Sequence, residues 1–128
     1  MRSTFLILGA LSALIGVGMG AFGAHGLKAI LAPEMLVVYK TGVTYQMWHA
    51  LGLILIALLL QQYKGKLLIW SGWLMFSGII LFSGSLYLLA ILNAKWLGMI
   101  TPFGGLAFLL AWMLIVIFAW HQNSDEVK

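Results

Sequence analysis

An uncharged apolar run, Leu67 to Leu92, places the strongest constraint on how this chain can fold. At roughly 1.5 Å per residue, about 26 helical residues extend about 39 Å, which exceeds the roughly 30 Å of a bilayer core. Such a run predicts a membrane-spanning helix that is tilted from the bilayer normal. The whole chain agrees, because 63% of its residues are hydrophobic and 8% are charged. A soluble domain of this size cannot bury so much apolar surface, so we expect an integral membrane protein.

Cysteine is absent from the sequence. Disulfides and thiolate metal sites are therefore excluded, and the redox compartment cannot be inferred. The formal net charge of +4 comes from scattered Lys and Arg residues, which do not form the basic patch expected of a nucleic-acid-binding surface. Near membrane spans, such charges more commonly set orientation and contact lipid head groups. We therefore expect the lipid bilayer as a partner, no nucleic acid and no cofactor.

Four apolar segments divide the chain into spans. We expect one all-α domain, residues 1–128, built as an integral membrane four-helix bundle of up-down hairpins. The stretch from Met35 to Thr44 mixes apolar and polar residues. It therefore predicts an interfacial segment between helices one and two, introduced by Pro33 at a first helical position. The predicted spans are residues 4–24, 45–61, 67–92 and 102–120.

An even number of spans places both termini on the same side of the membrane. Cationic residues favour the cytoplasmic side, so their distribution predicts orientation. The terminal side carries Arg2, Lys64, Lys66 and Lys128, and the opposite side carries Lys28, Lys40 and Lys95. This small bias predicts that both termini are cytoplasmic.

Small residues recur every seven positions in two of the predicted spans. They are Gly9, Gly16 and Gly23 in segment one, where Gly16 and Gly20 also form a Gly-xxx-Gly unit, and Ser71, Gly78 and Ser85 in segment three. Each set lines one helix face, and small residues let membrane helices approach closely. We therefore predict that segments one and three pack through these two faces. The alternative is that glycine is simply more common in membrane helices.

Polar residues concentrate toward one membrane face, where segment one ends, segment two begins and segment three ends. They are His25, Tyr45, Gln46, His49, Ser83, Ser85, Tyr87, Asn93 and Thr101. Polar groups within spans are unfavourable and usually satisfy one another. We predict that His25, Tyr45, Gln46, His49 and Ser85 form one cluster near the non-cytoplasmic boundary. Three roles stay open for these residues: an interhelical hydrogen-bond network, a site for a small molecule, lipid or ion, and catalysis.

Two histidines of this cluster, His25 and His49, could jointly hold a metal or haem. The spans contain no carboxylate to complete a coordination sphere, and the two histidines form no spacing motif. We therefore predict no metal. A carboxylate proton relay is also disfavoured, because the acidic residues lie in loops or in the tail. Phosphate-binding loops, Ser-His-Asp sets and His-Glu-x-x-His motifs are likewise missing from the sequence.

A family resemblance is carried by four blocks that occur in order along nearly the whole chain. They are Gly20–Leu27 (GAFGAHGL), Tyr45–Leu51 (YQMWHAL), Phe82–Tyr87 (FSGSLY) and Ile100–Gly105 (ITPFGG). Together they resemble the domain-of-unknown-function family 423, small four-helix membrane proteins that also look like transmembrane protein 256. The resemblance implies a multi-pass protein of the cytoplasmic membrane in bacteria. It implies no catalytic residues.

These observations favour a non-enzymatic membrane component. We expect it to support envelope integrity or a partner complex, as a homo-oligomer or with a membrane-protein partner. The alternative is a carrier of a small molecule, lipid or ion that uses the polar cluster. An enzyme is the third hypothesis.

Overall fold

The computed structural model describes residues 1–126 of the chain. The helical elements are α1 (Arg2–Phe22), a π-helical turn (Gly23–Leu27), α2 (Pro33–Gln62), α3 (Lys66–Gly78), a second π-helical turn (Ile79–Gly84), α4 (Ser85–Leu92), a 3₁₀ helix (Lys95–Met99) and α5 (Thr101–Glu126). Lys128, one of the residues that predicts orientation, and the end of the predicted polar tail lie outside the described residues.

The elements form four continuous stretches that are long and apolar enough to cross a membrane. We name them the first span (Arg2–Leu27), the second span (Pro33–Gln62), the third span (Lys66–Leu92) and the fourth span (Lys95–Asn123). This architecture confirms the predicted all-α, four-helix membrane fold. The connections between the first three spans are short, so each span turns back beside the one before it.

The second span begins at Pro33 rather than at Tyr45, and α2 continues without interruption for 30 residues. The predicted interfacial segment is therefore the first part of a spanning helix. Pro33 lies in its first turn, where the missing N–H removes no helical hydrogen bond. Tyr39, which we expected at the interface, is fully buried at 0% exposure because it packs on the first span at Gly23.

The spans pack in chain order. Helix α1 lies against α2, α2 lies against the third span, and α5 lies against the third span. The second and third spans therefore form the centre of the bundle, and α1 and α5 form its outer edges. This order places large apolar side chains of both edges on the outside, where lipid would cover them.

The glycine face of the first span packs on the second span, so the predicted pairing of segments one and three is wrong. A Cβ added at Gly9 would lie 2.9 Å from the carbonyl oxygen of Ala50, and one added at Gly16 would lie 2.6 Å from Sδ of Met47. Gly20 and Gly23 continue this face against α2. The first and third spans still meet at one end, where Phe5 packs on Gly72.

The small-residue face of the third span packs on the fourth span. Ser71 Oγ donates to the carbonyl oxygen of Ala111 at 2.7 Å, and Gly78 leaves room for the ring of Phe108. A seven-residue spacing identifies residues that share a helix face, but it does not identify the helix that covers that face. Both faces exist, and each packs on its neighbour in the chain.

Buried apolar residues form two clusters. The larger includes Phe5, Leu53, Ile56, Leu68, Met75 and Phe108, and the smaller includes Leu27, Tyr39, Tyr87 and Ala90. Along α2, Gln46 and His49 lie between Tyr39 of the smaller cluster and Leu53 of the larger. A polar layer therefore separates two apolar cores.

The backbone of the fourth span at Gly104 is in close contact with the backbone of the second π-helical turn. A Cβ at Gly104 would overlap the backbone of Phe82, whereas one at Gly105 would lie 3.8 Å from the Phe82 ring. The third span ends at Asn93, which adopts the left-handed conformation with φ 52°. Thr101 is the first residue of α5, and Leu97 in the preceding 3₁₀ helix is buried.

Candidate functional site

Gln46 joins three spans through its side-chain amide. Its Nε2 donates to the carbonyl oxygen of Ser12 in the first span at 2.8 Å, and its Oε1 accepts from the hydroxyl of Tyr87 in the third span at 2.6 Å. The side chain is 4% exposed. Since lipid offers no alternative partners, this junction fixes the relative position of the three helices.

A second tyrosine strengthens the same junction. Tyr39 donates its hydroxyl to the carbonyl oxygen of Met19 at 2.6 Å, and its ring centroid lies 5.2 Å from that of Tyr87. Glycines admit both rings, because a Cβ at Gly23 would lie 2.5 Å from the Tyr39 ring and one at Gly42 would lie 2.9 Å from the Tyr87 ring. The two tyrosines therefore fill the space that the glycines leave between helices.

Serine hydroxyls bridge the remaining central contacts. Ser83 Oγ donates to the carbonyl oxygen of Gly42 at 2.7 Å, between the third and second spans. Ser85 Oγ lies 2.7 Å from Thr101 Oγ1, between the third and fourth spans. Throughout the described residues, no side-chain nitrogen or oxygen is fully buried without a hydrogen-bond partner. These polar groups therefore hold helices together.

His49 lies outside this network. Its Nδ1 is 2.6 Å from the carbonyl oxygen of Tyr45, one turn earlier on α2. A carbonyl oxygen only accepts, so Nδ1 must carry the hydrogen and Nε2 of the neutral ring must carry the lone pair. The side chain is 6% exposed, yet Nε2 has no hydrogen-bond partner among the described residues. Nε2 must therefore retain some accessible surface, because no unpaired atom of this kind is fully buried in the described part of the chain.

An aromatic wall holds the imidazole in place. The ring of His49 stacks on Phe108 at 3.4 Å between centroids and 9° between planes. The ring of Phe108 packs directly on the backbone of Gly78, where a Cβ would overlap it. The ring centroid of Phe82 lies 5.6 Å from that of Phe108. The second and fourth spans meet here through side chains rather than through close backbone contact.

A lateral groove opens in front of this wall, between the second and fourth spans. Its volume is about 590 Å³, within the range of ligand sites. We call it the His49 groove, and its lining residues are Tyr45, His49, Phe82, Pro102, Gly105, Leu106, Phe108, Leu109 and Trp112. A smaller cleft of about 360 Å³ adjoins it and shares Tyr45, His49 and Trp112. Neither lining contains a charged residue.

The structure distributes the predicted cluster over separate places. Gln46 and Tyr87 belong to the three-span junction, Ser85 pairs with Thr101, and Tyr45 and His49 line the groove. Ser83 bonds to the backbone of α2.

His25 lies apart from every one of these places, exposed in the first π-helical turn. Its neighbour Gly23 packs on Tyr39. His49 is ten residues further along α2 than Tyr39, or about 15 Å. The two histidines therefore do not meet. Among the described residues, no group of three or more His, Cys, Asp or Glu side chains comes together.

Gln46 and His49 lie well inside the second span. Along α2 they follow the charged Lys40 by about 9 Å and about 13 Å. Their depth in a bilayer stays a prediction. The predicted position at the boundary rested on a helix that begins at Tyr45, whereas the helix begins at Pro33.

Sequence reasoning missed several residues that build the site. Phe82, Phe108 and Trp112 form the groove, and in the sequence they are ordinary apolar residues of spanning helices. Tyr39 was placed at the interface because Lys40 and Thr41 follow it. The sequence did contain one signal for this site, the adjacent glycines Gly104 and Gly105. Adjacent glycines indicate that another helix packs closely on the fourth span, but they do not identify that helix.

Comparisons with known proteins place the chain in a family. The family model described as "Protein of unknown function (DUF423)" matches residues 19–105. The UPF0382 membrane protein YwdK of Bacillus subtilis is 52% identical over 116 residues, which covers 90% of this chain and 94% of that protein. A UPF0382 membrane protein of Staphylococcus epidermidis is 48% identical over 113 residues, covering 88% and 92% of the two chains. No solved structure matches the chain. The resemblance in the four sequence blocks is thereby confirmed, and the chain belongs to the DUF423 family of membrane proteins.

Proposed function

We propose that this protein is a non-enzymatic component of the membrane that works by binding a ligand in the His49 groove. One observation carries the proposal. The central polar groups bond across helices, whereas Nε2 of a nearly buried histidine has no protein partner and belongs to a residue that lines the groove. A group held in one orientation by Tyr45 and Phe108 but left with a free lone pair suits recognition.

The arrangement of the polar residues favours binding over transport. A carrier requires polar groups that follow a path across the membrane and exchange partners with the cargo. Here Gln46, Tyr87 and Ser83 are committed to other helices, so the residues expected to line such a path act as interhelical bonds. The groove is bordered by Leu106 and Leu109, which are 54% and 70% exposed on the outside of the bundle.

Partners in the membrane form part of the same proposal. The outer helices present large apolar side chains, among them Leu14 on α1 and Leu109 on α5, each 70% exposed. Such faces suit lipid, a second copy or another membrane protein. A homo-oligomer or a membrane-protein partner therefore stays a prediction. So does placement in the cytoplasmic membrane, which the family resemblance implies. Cytoplasmic termini also stay a prediction, which the Lys and Arg distribution supports.

Native mass spectrometry of the protein released from its own membrane tests the binding proposal. Gly105→Leu projects a side chain into the groove from a position where a Cβ makes ordinary contact, 3.8 Å from Phe82. Gly18→Leu is the matched control, because a Cβ at Gly18 meets nothing within 4 Å. We expect a bound small-molecule mass in the wild type and in Gly18→Leu, and its loss in Gly105→Leu. Equal retention in both variants, or solute uptake by proteoliposomes, would contradict the proposal.

A further inference from the structure

We propose that the His49 groove binds a neutral lipid whose headgroup is a hydroxylated aromatic ring, a quinol, which donates its O–H to Nε2 of His49. The inference rests on the proposed binding function and names the ligand class for the same groove. It concerns binding alone and requires no electron transfer.

The hydrogen on the imidazole decides which kind of ligand fits. Because Nδ1 donates to the carbonyl oxygen of Tyr45, the accessible nitrogen of the neutral ring is an acceptor. No carboxylate lines the groove to stabilise an imidazolium. A ligand that bonds to His49 must therefore bring a donor, such as a hydroxyl group. At His49, a ligand that offers only carbonyl oxygens would place an acceptor against an acceptor.

The groove has an aromatic lining. Tyr45 and Phe82 lie 4.6 Å apart, and His49 and Trp112 lie 6.1 Å apart, between ring centroids, so these lining rings contact one another. Aromatic groups attract one another in offset and edge-to-face geometries, so this lining suits a ligand that carries an aromatic ring. Neither the hydroxyl of Tyr45 nor the indole N–H of Trp112 has a hydrogen-bond partner among the described residues. Both remain free for a second oxygen on the ring.

The absence of charge from the lining argues for a neutral headgroup. A phospholipid phosphate needs Lys, Arg or several converging N–H donors, and the groove lining contains no cation. His49 also belongs to a long apolar span, where a charged headgroup is disfavoured. Leu106 and Leu109 line the groove and are 54% and 70% exposed, so an apolar tail can leave along α5.

Titration in nanodiscs with three amphiphiles of equal tail length tests the assignment. The probes are a decyl-substituted benzoquinol, its oxidised quinone and decanol, and the readout is the ¹⁵N resonance of His49 Nε2 in histidine-labelled protein. We expect saturable binding of the quinol with a shift of this resonance. The quinone lacks the donor and decanol lacks the ring, so each should bind about tenfold more weakly, as expected for the loss of one favourable contact. Equal affinity for quinol and quinone, or for quinol and decanol, overturns the proposal.

Two pairs of variants locate the site. His49→Phe keeps an aromatic ring against Phe108 but removes both nitrogens, and should weaken quinol binding about tenfold. His25→Phe, at the exposed histidine, should leave affinity unchanged. If His49→Phe does not fold, Gly105→Leu and its control Gly18→Leu decide instead, since neither touches the three-span junction. Unchanged affinity in Gly105→Leu overturns the proposal.

The two experiments distinguish an error in the ligand class from an error in the proposed binding function. A native mass that Gly105→Leu abolishes, together with no saturable quinol binding, means that the groove binds another class of molecule. The quinol assignment is then wrong while the binding function stands. No groove-dependent mass and no quinol binding contradicts both.

Discussion

Tyr87 donates its hydroxyl to Oε1 of Gln46 at 2.6 Å, at the point where Gln46 also donates to the first span. One hydrogen bond thus connects the third span to a side chain that already links the first two. Interhelical hydrogen bonds in membranes contribute about 0.6 kcal/mol on average, and rarely more than about 1.7. The importance of this bond lies in its position, because both partners are buried and neither has water to replace the other.

Tyr87→Phe should therefore lower the free energy of unfolding by about 1–2 kcal/mol, because Oε1 of Gln46 loses its donor. Thermal or denaturant unfolding in detergent measures the change. Tyr63→Phe is the control, since Tyr63 contacts Phe118 through its ring and its hydroxyl makes no described hydrogen bond, while the backbone N–H that bonds to Leu59 is unchanged by the substitution. In a double-mutant cycle with Gln46→Leu, the combined loss should be smaller than the sum of the single losses. Strict additivity would contradict the coupling.

Gly104→Ala should destabilise the protein by about 1–3 kcal/mol, because the added methyl overlaps the backbone of Phe82, which cannot rotate away. Gly105→Ala should change stability little, since its Cβ makes ordinary contact with the Phe82 ring. The two neighbouring substitutions add the same group to one helix, so their difference in melting temperature isolates the close approach of the fourth span. Equal melting temperatures would show that α5 does not approach Phe82 this closely.

The four spans could be predicted from sequence because length and apolar character are properties of a single segment. Pro33 marked a helix start through its own backbone preference, and the end of the apolar run at Leu92 marked the end of the third span. The start of the second span was missed because Lys40 suggested an interface. In the structure Lys40 is an exposed residue on a continuous helix, and its neighbour Tyr39 is buried.

The partners of the helix faces could not be predicted in the same way. Gly16 and Gly78 each predicted that another helix packs closely at that position. Any helix with a suitable side chain can occupy the space that either glycine leaves. Met47 fills the first and Phe108 the second, and both are unremarkable in an apolar sequence. Spacing is a local property, whereas pairing depends on how all four spans share the available surface.

The candidate site was predicted by residue type and not by arrangement. Gln46 and His49 both appeared as polar residues on one helix, three positions apart. Gln46 turned out to bond to two other spans, and His49 turned out to bond only to its own helix. That difference depends on Ser12, Tyr87 and Phe108, which lie on three other helices and are brought together only by folding.

Gly9→Ala should lower the free energy of unfolding by about 1–3 kcal/mol. The added Cβ would lie 2.9 Å from the carbonyl oxygen of Ala50 and 3.1 Å from the backbone nitrogen of Ile54, so relief requires α1 to move away from α2. Gly16→Ala should cost less, because its nearest contact is the flexible end of Met47. Gly18→Ala, on an open position of the same helix, should leave stability unchanged or raise it. Equal effects at Gly9 and Gly18 would contradict the backbone contact.

Cysteine cross-linking tests the order of the spans directly, because the chain contains no native cysteine. A Cβ at Gly20 would lie 3.4 Å from Cγ1 of Val43, so Gly20→Cys with Val43→Cys should cross-link efficiently with a short thiol-specific reagent in native membranes. Gly20→Cys with Ser85→Cys represents the pairing of the first and third spans, and should cross-link poorly because Ser85 faces Thr101 of the fourth span. Mobility in a denaturing gel reports each product, and dilution into excess unmodified protein separates links within one chain from links between copies. Efficient linkage of Gly20→Cys to Ser85→Cys within one chain would place the first span on the third and overturn the packing order.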